Sequence, residues 1–587
     1  MLRSSSRQTS ILLEEGRIRD VRNHGQEPGS SEGLPSEHLR ANWLPRVLST
    51  RDLTVLCLFS VLLVSNVPFI AAAGGASFWY WCLGFLAFLI PTALIGVQLY
   101  RLFPGEGAVY LWANKAFGSF WDTFIGLFCN WFPGALGLTI EAGAVVTYIQ
   151  ALNANWLTLP WQQGTAEILV LVLAQVLCTL NQRALQKILN VVFFAYSSCF
   201  ILLGLAGLAW VLAGHAPQGD FTAQGWQLAP ATWPTFATVI VSLLGLVVPL
   251  NLGSEVINQH SGRRYMLWGV VITIVGYFIA TFGVLVVLPP KDLFNPAFIA
   301  EIFTLAFGAA IGPMLGTFMH IILVVYFICA TAAFNLIFAR LLMVAGVDRR
   351  LPLAMQRLNR QRVPWNAMLI QTLFNIAFVI IIFFLSPLFA PTIQGLSSAV
   401  FLVTINGASV IWNIAMIGLF LCGIILFFRY KRQLRDRWIA PPLVLYIAAL
   451  LGIVSAGSAI YSTFFVGSPV PQILTTGDWD YWVLLVVLAS LAVGAAYSFL
   501  VPEVEDLMAL FGTHTAQPSA PESSPQSSKE AQDAIHQLPF QSNAGQPAQA
   551  PRGNSYTQNP SLSGQLFPGA PDRSGAQGHR NVPGRMG

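Results

Sequence analysis

Two carboxylates, Glu141 and Glu255, stand inside long apolar stretches of the sequence. A charge at the centre of a bilayer costs at least about 2.5 kcal/mol, so each is a candidate for chemistry. Arg263 and Arg264 follow Glu255 closely. One interpretation of Glu255 is a gate carboxylate that forms an ion pair or couples to a proton as the gate opens. The other is a permanent ion pair that fixes the end of a helix. Glu141 is either a protonatable group that faces a cavity or a partner in a structural hydrogen bond.

Two apolar stretches, the first and the sixth along the chain, are interrupted by polar residues, glycine and proline. The first holds Ser65-Asn66-Val67-Pro68, and the sixth holds Pro249 and Asn251 between Gly245 and Glu255. Within hydrocarbon a helix breaks only where protein or a water-filled cavity accepts its freed backbone groups. A single break is explained as well by a kinked, closely packed helix, but breaks at matching places in two halves of a chain indicate a central site. We therefore predict that the residues at both breaks line a ligand site: Ser65, Asn66, Val67, Gly245 and Asn251.

Other kinds of chemistry find no support in the sequence. The seven cysteines all lie in apolar stretches and form no C-x-x-C pair, so neither a disulfide framework nor a metal site is predicted. No phosphate loop, nucleophile elbow or H-E-x-x-H pattern is present. The basic residues are scattered and form no stripe for nucleic acid. We expect no enzyme activity, no cofactor, no metal and no nucleic-acid partner.

The composition explains where these polar residues must sit. Hydrophobic residues make up 55% of the 587 residues and charged residues only 10%, against about 25% charged in soluble proteins. A crossing of the hydrocarbon layer needs about 20 mostly apolar residues. The sequence therefore predicts an all-α protein with twelve transmembrane helices. Their approximate ranges are 52–73, 77–102, 119–150, 166–181, 187–213, 235–258, 265–289, 312–345, 366–388, 396–428, 440–466 and 480–501.

The positions of the basic residues predict how these helices are oriented. Eighteen Lys or Arg residues lie between Asp52 and Val501, and seventeen of them fall in connections on the same side as the N-terminus; only Lys291 falls on the other side. Basic residues favour the cytoplasmic side of short loops. Both termini are therefore predicted to be cytoplasmic, in a multi-pass protein of the cell membrane.

The chain divides into three parts by composition. Residues 1–50 form a polar cytoplasmic segment without a cleavable signal sequence, and residues 51–502 form the twelve-helix domain. Residues 503–587 are rich in Ser, Pro, Gln and Gly. Such a segment buries too little apolar surface to offset its chain entropy, so it is predicted to be a disordered cytoplasmic tail.

Three motifs together resemble the amino acid permeases of the amino acid–polyamine–organocation superfamily. The segment Pro104-Gly105-Glu106-Gly107-Ala108-Val109-Tyr110-Leu111-Trp112 resembles the loop signature after their second helix. Gly245, Glu255 and Asn258 are similar to their sixth-helix pattern. Arg340, Asp348, Leu351-Pro352 and Val363-Pro364 are similar to the stretch that leaves their eighth helix. Phe88-Leu89-Ile90-Pro91 with Gln98-Leu99 looks most like the glutamate:GABA-antiporter branch.

The resemblance implies a leucine-transporter-type fold, with five-plus-five inverted repeats and two C-terminal helices. It implies that Thr331 and Asn335, four residues apart on one face of the eighth helix, contact a coupling ion or the substrate. Phe334 aligns with a substrate-gating aromatic, although a core or lipid-facing aromatic explains it equally well. The family's first-helix Gly-x-Gly, whose amides receive a substrate carboxylate, aligns here with Val61-Leu62-Leu63.

The predicted function is secondary transport of amino acids or related amine-like solutes by alternating access. Glu255, Glu141 and Thr331 are the gating or coupling candidates, with H⁺ or Na⁺ as the coupling ion, or exchange in its place. The alternative is a transporter-like membrane sensor that binds a solute and signals through the cytoplasmic tail. The sequence does not specify the substrate, the coupling ion, the direction of transport or the oligomeric state.

Overall fold

The computed structural model describes residues 34–38, 44, 46–389, 396–435, 437–465 and 475–512, and within these ranges it is helical, with no named strand. Twelve long helices follow one another. They are α1 (Thr50–Ala71), α2 (Ala76–Leu102), α3 (Ser119–Leu152), α4 (Pro160–Leu177), α5 (Gln182–Leu212), α6 (Pro234–Glu255), α7 (Gln259–Val287), α8 (Phe298–Val347), α9 (Trp365–Leu388), α10 (Leu396–Arg429), α11 (Pro442–Phe465) and α12 (Thr476–Gly512). A short loop helix, Ala108–Phe117, lies between α2 and α3.

Eleven of the helices in the described ranges are long and apolar enough to cross a membrane, so the chain is a multi-pass membrane protein. The remaining long helix, α4, has only 18 residues and includes Gln162, Gln163, Glu167 and Gln175. It begins at Pro160, six residues before the predicted fourth span, because proline is well suited to the first turn of a helix. The count of twelve crossings therefore stays a prediction.

Two other predicted boundaries differ from the structure. The predicted span 312–345 belongs to the much longer α8, in which Gly308 has a positive φ of 81° that interrupts the helix. Only glycine adopts this backbone conformation routinely. At the other end of the chain, α12 continues to Gly512, ten residues past the predicted end of the helical domain at residue 502. The rest of the predicted tail lies outside the described residues.

Helix α1 begins with a capping box and is broken in its second half. The Ser49 hydroxyl donates to the Asp52 carboxylate at 2.7 Å, and the Ser49 amide donates to the same oxygen at 2.9 Å. The helix runs regularly from Thr50–Val61, unwinds at Leu62, and resumes at Val67–Ala71 after one tight turn. Pro68 stands in the first turn of the second segment, where its missing N–H is not needed.

Helix α6 is broken at the corresponding place and lies against α1. Its regular part ends at Ser242, and residues Leu244–Glu255 form tight turns around Pro249. Gly245 lies so close to α1 that any side chain there would overlap the Ser60 carbonyl. The two interrupted helices therefore meet directly at their breaks.

Helix α3 packs closely against α8 through small residues. A side chain at Gly134 would overlap the Phe338 ring, and a Cβ at Gly137 would lie 2.8 Å from the Phe334 ring. These two glycines lie three residues apart on one helix face, and Glu141 continues the same face one turn later. The packing of α3 on α8 thus turns Glu141 toward α8.

Candidate functional site

Two tyrosine hydroxyls bind the unwound part of α1. Tyr196 of α5 accepts a hydrogen bond from the Val64 amide at 2.9 Å and donates to the Leu62 carbonyl at 2.7 Å. Tyr277 of α7 accepts from the Leu63 amide at 3.2 Å and donates to the Val61 carbonyl at 2.7 Å. Backbone groups freed inside hydrocarbon need such partners. The break in α1 is therefore stabilised by two protein side chains that use both of their hydrogen-bonding functions.

The polar residues predicted at the α1 break lie one turn beyond it. Ser65 and Asn66 are partly exposed in the tight turn, while Val67 is buried. Asn66 lies within reach of the Tyr277 hydroxyl, as does Ser242 at the end of the regular part of α6. Asn66 thus lies beside the break, at a position that joins α1, α6 and α7.

The residues predicted in α6 are divided between two places. Gly245 lies at the contact with α1 described above. Asn251 is buried further along, where its carbonyl accepts the Gly107 amide at 3.3 Å and its side-chain Oδ1 has no hydrogen-bond partner in the described ranges. The structure therefore places Asn251 next to the loop before the loop helix, two turns away from Gly245.

Aromatic rings connect the α1 break to α8. The Tyr326 ring stacks on the Tyr196 ring with 3.5 Å between centroids, and on the Phe59 ring with 4.7 Å between centroids. All three side chains are buried. Because Tyr196 also binds the α1 backbone, a displacement of α8 against α1 must disturb this stack.

Glu141 lies in the same region, on the face of α3 that contacts α8. The residue is only 3% exposed, and its Oε2 has no hydrogen-bond partner among the residues described. Tyr326 of α8 and Tyr148, two turns further along α3, are within electrostatic reach of the carboxyl group. The structural hydrogen bond that was one interpretation of Glu141 is therefore not present at this oxygen.

The structure places the predicted α8 residues away from the α1 break. Phe334 packs on Gly137 of α3, and the Thr331 hydroxyl donates to the Phe327 carbonyl of its own helix at 2.9 Å. The Asn335 amide donates to Gln175 Oε1 at 2.8 Å. Asn335 thus belongs to a buried hydrogen-bond network between helices, and its contact with a coupling ion or the substrate stays a prediction.

That network joins α3, α4, α8 and α9. The Thr372 hydroxyl donates to Gln175 Oε1 at 2.9 Å, and the Gln371 amide donates to Asn335 Oδ1 at 3.1 Å. The same Gln371 accepts the Trp131 indole N–H at 3.0 Å. Interlocked polar groups of this kind hold helices in fixed register. These four helices thus behave as one frame beside the interrupted pair.

Glu255 forms a buried ion pair with Arg340 of α8, and neither side chain is exposed. The Gln182 side-chain amide of α5 donates to the other Glu255 oxygen. The sequence suggested Arg263 and Arg264 as partners, but the actual cation is 85 residues further along the chain. Because the pair joins α6 to the α8 frame, it closes the protein at the end where the N-terminal segment packs.

A second carboxylate, Glu106, lies beside this pair in the loop before the loop helix. Its Oε2 accepts the Ser254 amide at 2.7 Å, and its Oε1 has no hydrogen-bond partner in the described part of the chain. Burial and the neighbouring Glu255 carboxylate raise the pKa of Glu106 to about 8, and Arg340 offsets only part of this rise. The carboxyl groups of Glu255 and Glu106 thus both interact electrostatically with the Arg340 guanidinium.

The segment before α1 covers the same face of the protein, which we call the N-terminal face. The Val47 and Leu48 amides donate to the Glu255 carbonyl at 2.9 and 3.0 Å, and the Ile257 amide donates to the Leu48 carbonyl at 3.0 Å. The Ser36 amide and hydroxyl each donate to Asp348 at 2.7 Å. Burial raises the pKa of Asp348 to about 6, against the opposing effect of these hydrogen bonds. We call the described residues of this segment, 34–38, 44 and 46–49, the strap.

Several of these residues carry no signal in the linear sequence. Tyr277 and Gln182 lie in ordinary positions of long helices, and only their three-dimensional neighbours give them a role. Arg340 and Glu106 belong to motifs noted above, but their shared contact with Glu255 required the fold. In the sequence, the one indication of such a role is a cationic or hydroxyl side chain inside an apolar stretch.

Comparisons with known proteins place this chain among membrane transporters. A family model described as amino acid permease matches residues 48–490. An uncharacterized transporter of Legionella pneumophila is 21% identical over 350 residues, which are 56% of this chain and 72% of that protein. A probable agmatine/putrescine antiporter of Lactococcus lactis is 23% identical over 270 residues, which are 44% of this chain and 55% of that protein. The match to this second relative thus spans about half its length.

Proposed function

This chain belongs to the amino acid permease family, and on that premise we propose that it moves amino acids or related small amines across the cell membrane by alternating access. The chain is a membrane transporter and not an enzyme. The observation that carries the proposal is the direct contact of two broken helices, where Gly245 of α6 meets Ser60 of α1. Paired breaks are typical of the central site of transporters.

The moving and fixed parts follow from the contacts. Helices α1 and α6 are joined at their breaks, whereas α3, α4, α8 and α9 are joined by the network around Asn335 and Gln371. We assign α1–α5 and α6–α10 to two inverted repeats, with α11 and α12 outside them. The pair α1 and α6 would then rock against the four-helix frame.

The N-terminal face is the closed gate in this arrangement. The ion pair of Glu255 with Arg340 joins the moving pair to the frame, and the strap is bonded to both through Glu255 and Asp348. Opening must break these contacts together. The distribution of Lys and Arg supports a cytoplasmic location for this face.

The substrate and the coupling ion belong to the same proposal. One relative is named as a probable agmatine/putrescine antiporter, which adds decarboxylated amines to the amino acids implied by the family. Transport is driven by exchange, by H⁺ or by Na⁺.

Uptake into proteoliposomes tests this function. The purified protein would be offered labelled amino acids, agmatine and putrescine, with a pH gradient, a Na⁺ gradient or internal solute in turn. Saturable uptake that one condition stimulates is the expected result, and Gly245→Trp should abolish it because the side chain would fill the contact between α1 and α6. Absence of uptake under every condition, with folded and inserted protein, would contradict transport and favour the sensor alternative.

A further inference from the structure

Two backbone donors at the α1 break are already occupied. The amides of Leu63 and Val64, at the unwound residues, are bound by the hydroxyls of Tyr277 and Tyr196. Both tyrosines are buried and also donate to α1 carbonyls. A carboxylate could reach these amides only by displacing two well-packed side chains.

The interior around the break also lacks a positive charge. Among the described residues of the spans, the cationic side chains lie toward the N-terminal face, and Arg340 is already paired with Glu255. The ionisable groups that lie deep in the spans include two carboxyl groups, Glu141 of α3 and Glu167 of α4. An anionic group bound here would therefore find no compensating cation among the described residues of the spans.

Glu141 itself has an unfilled requirement. A buried carboxyl group must either carry a proton or face a cation, because a bare charge in dry protein is very costly. Its Oε2 has no hydrogen-bond partner in the described ranges. Tyr326 and Tyr148 lie within electrostatic reach of this carboxyl group and provide two hydroxyl groups in the same region.

No fixed cation in the described surroundings of Glu141 can take this place. The titratable groups shown within electrostatic reach of Glu141 are Tyr148 of α3 and Tyr326 of α8. Around these two tyrosines lie Tyr196 and Cys199 of α5 and His320 and Cys329 of α8. Glu167 of α4 lies against Gly143, on another face of α3.

We propose that Glu141 is the site for the ammonium group of the substrate, that this substrate carries no carboxylate, and that its binding displaces a proton from Glu141. The inference rests on the proposed transport function and specifies its substrate class. The exchange balances in charge: the carboxyl O–H releases one proton, and the carboxylate then pairs with one ammonium group. Since one oxygen cannot hold both, movement of the amine is coupled to movement of a proton in the opposite direction.

Calorimetric titration of the full-length protein in lipid nanodiscs tests the proposal. The probes are cadaverine and lysine, which differ only in the α-carboxylate, and two buffers of different ionisation enthalpy report proton release. We expect cadaverine to bind at least about tenfold more tightly than lysine, with release of up to about one proton. Glu141→Gln should weaken cadaverine binding by at least about 30-fold and abolish the release.

Matched variants separate this result from misfolding. Glu167→Gln changes an equally buried carboxylate that the proposal does not use, so it should keep both affinity and proton release. Glu141→Asp keeps the charge and should retain weakened binding with proton release. Thermal stability of each variant in the same nanodiscs shows whether it is folded.

Other outcomes distinguish the two levels of the argument. Equal or tighter binding of lysine, or unchanged cadaverine binding by Glu141→Gln, overturns the inference. Saturable proteoliposome uptake of amino acids without any cadaverine binding overturns it too, while the proposed transport function stands. Failure of every solute in both uptake and binding removes the proposed function itself.

Discussion

Glu255 of α6 and Arg340 of α8 form an ion pair from which solvent is excluded on both sides. The carbonyl of Arg362, beyond the end of α8, accepts a further Arg340 N–H at 3.1 Å. The pair therefore ties the interrupted helix to the frame helix and to the loop that follows it. Whatever opens the N-terminal face must separate these two charges.

Removal of one partner of the Glu255–Arg340 pair should lower the stability of the folded protein. Arg340→Met leaves Glu255 and Glu106 without their shared cation, and loss of one partner of a buried pair typically costs about 3–5 kcal/mol. We expect a clearly lower midpoint of thermal unfolding in detergent. Glu255→Gln in the Arg340→Met background should recover part of the loss, because it removes the unpaired charge. Arg264→Gln, on the same face but outside the pair, should have little effect, and a similar loss there would argue against a specific role.

Tyr196 and Tyr277 at the α1 break should each stabilise the protein through the hydroxyl group that phenylalanine lacks. Tyr196→Phe and Tyr277→Phe each leave one amide and one carbonyl of α1 without a partner. An unsatisfied buried group costs about 1–3 kcal/mol, so both variants should unfold at lower temperature. Tyr265→Phe is the matched control, because the buried Tyr265 hydroxyl has no hydrogen-bond partner among the residues described. Equal stability of all three variants would contradict this account.

Closure of the N-terminal face should depend on pH through Glu106. Its raised pKa means that the closed arrangement binds a proton that a hydrated carboxyl would release above its ordinary value near 4.5. The closed state therefore has its full advantage below about pH 4.5 and loses it progressively as pH rises toward about 8. Spin labels at the exposed Ile257 and Leu353, in a cysteine-free background, report the distance across this face.

Between pH 6 and pH 8 the longer-distance population should grow in the wild-type background. Glu106→Gln keeps the shape of the side chain without a titratable proton, so its distance distribution should stay nearly constant over this range. A pH response that survives this substitution would assign the effect to another group, for which Asp348, with its pKa of about 6, lies in the wrong range.

The contact between the two breaks should tolerate no side chain. Gly245→Ala places a methyl group against the Ser60 carbonyl, and overpacking in a tight interior typically costs about 1–3 kcal/mol. Reduced uptake and a lower unfolding temperature are expected together. Gly457→Ala in α11 is the control, since nothing lies within 4 Å of the added Cβ. Normal uptake by Gly245→Ala would show that the two helices separate more easily than the structure indicates.

The sequence predicted the broken helices because proline, glycine and asparagine within apolar stretches are visible in one dimension. The break in α1 nevertheless begins at Leu62, a turn before the polar pair Ser65 and Asn66. Its cause is the hydroxyl chemistry of Tyr196 and Tyr277, which lie more than 130 residues away in the chain. Helix propensity does not predict a break at Leu62 and Leu63.

The partners of the polar residues were harder to predict than the residues themselves. Glu255 was identified from its type, but proximity in sequence favoured the arginines next to it over Arg340. Asn335 and Thr331 share a helix face as predicted, yet the rotation of α8 turns Asn335 toward Gln175 and α9. Helix rotation and long-range pairing depend on packing, which periodicity alone does not determine.

The backbone bonds between Leu48 and Glu255 give the strap a further property. The described strap residues bond to Glu255 and Asp348 in this closed arrangement, so a molecule that captures the strap and prevents these bonds competes with closure. By linkage, such a molecule stabilises the opposite conformation by as much free energy as it gains in binding. An antibody fragment raised against this short peptide would therefore act as a conformational trap, and would inhibit transport without approaching the substrate path.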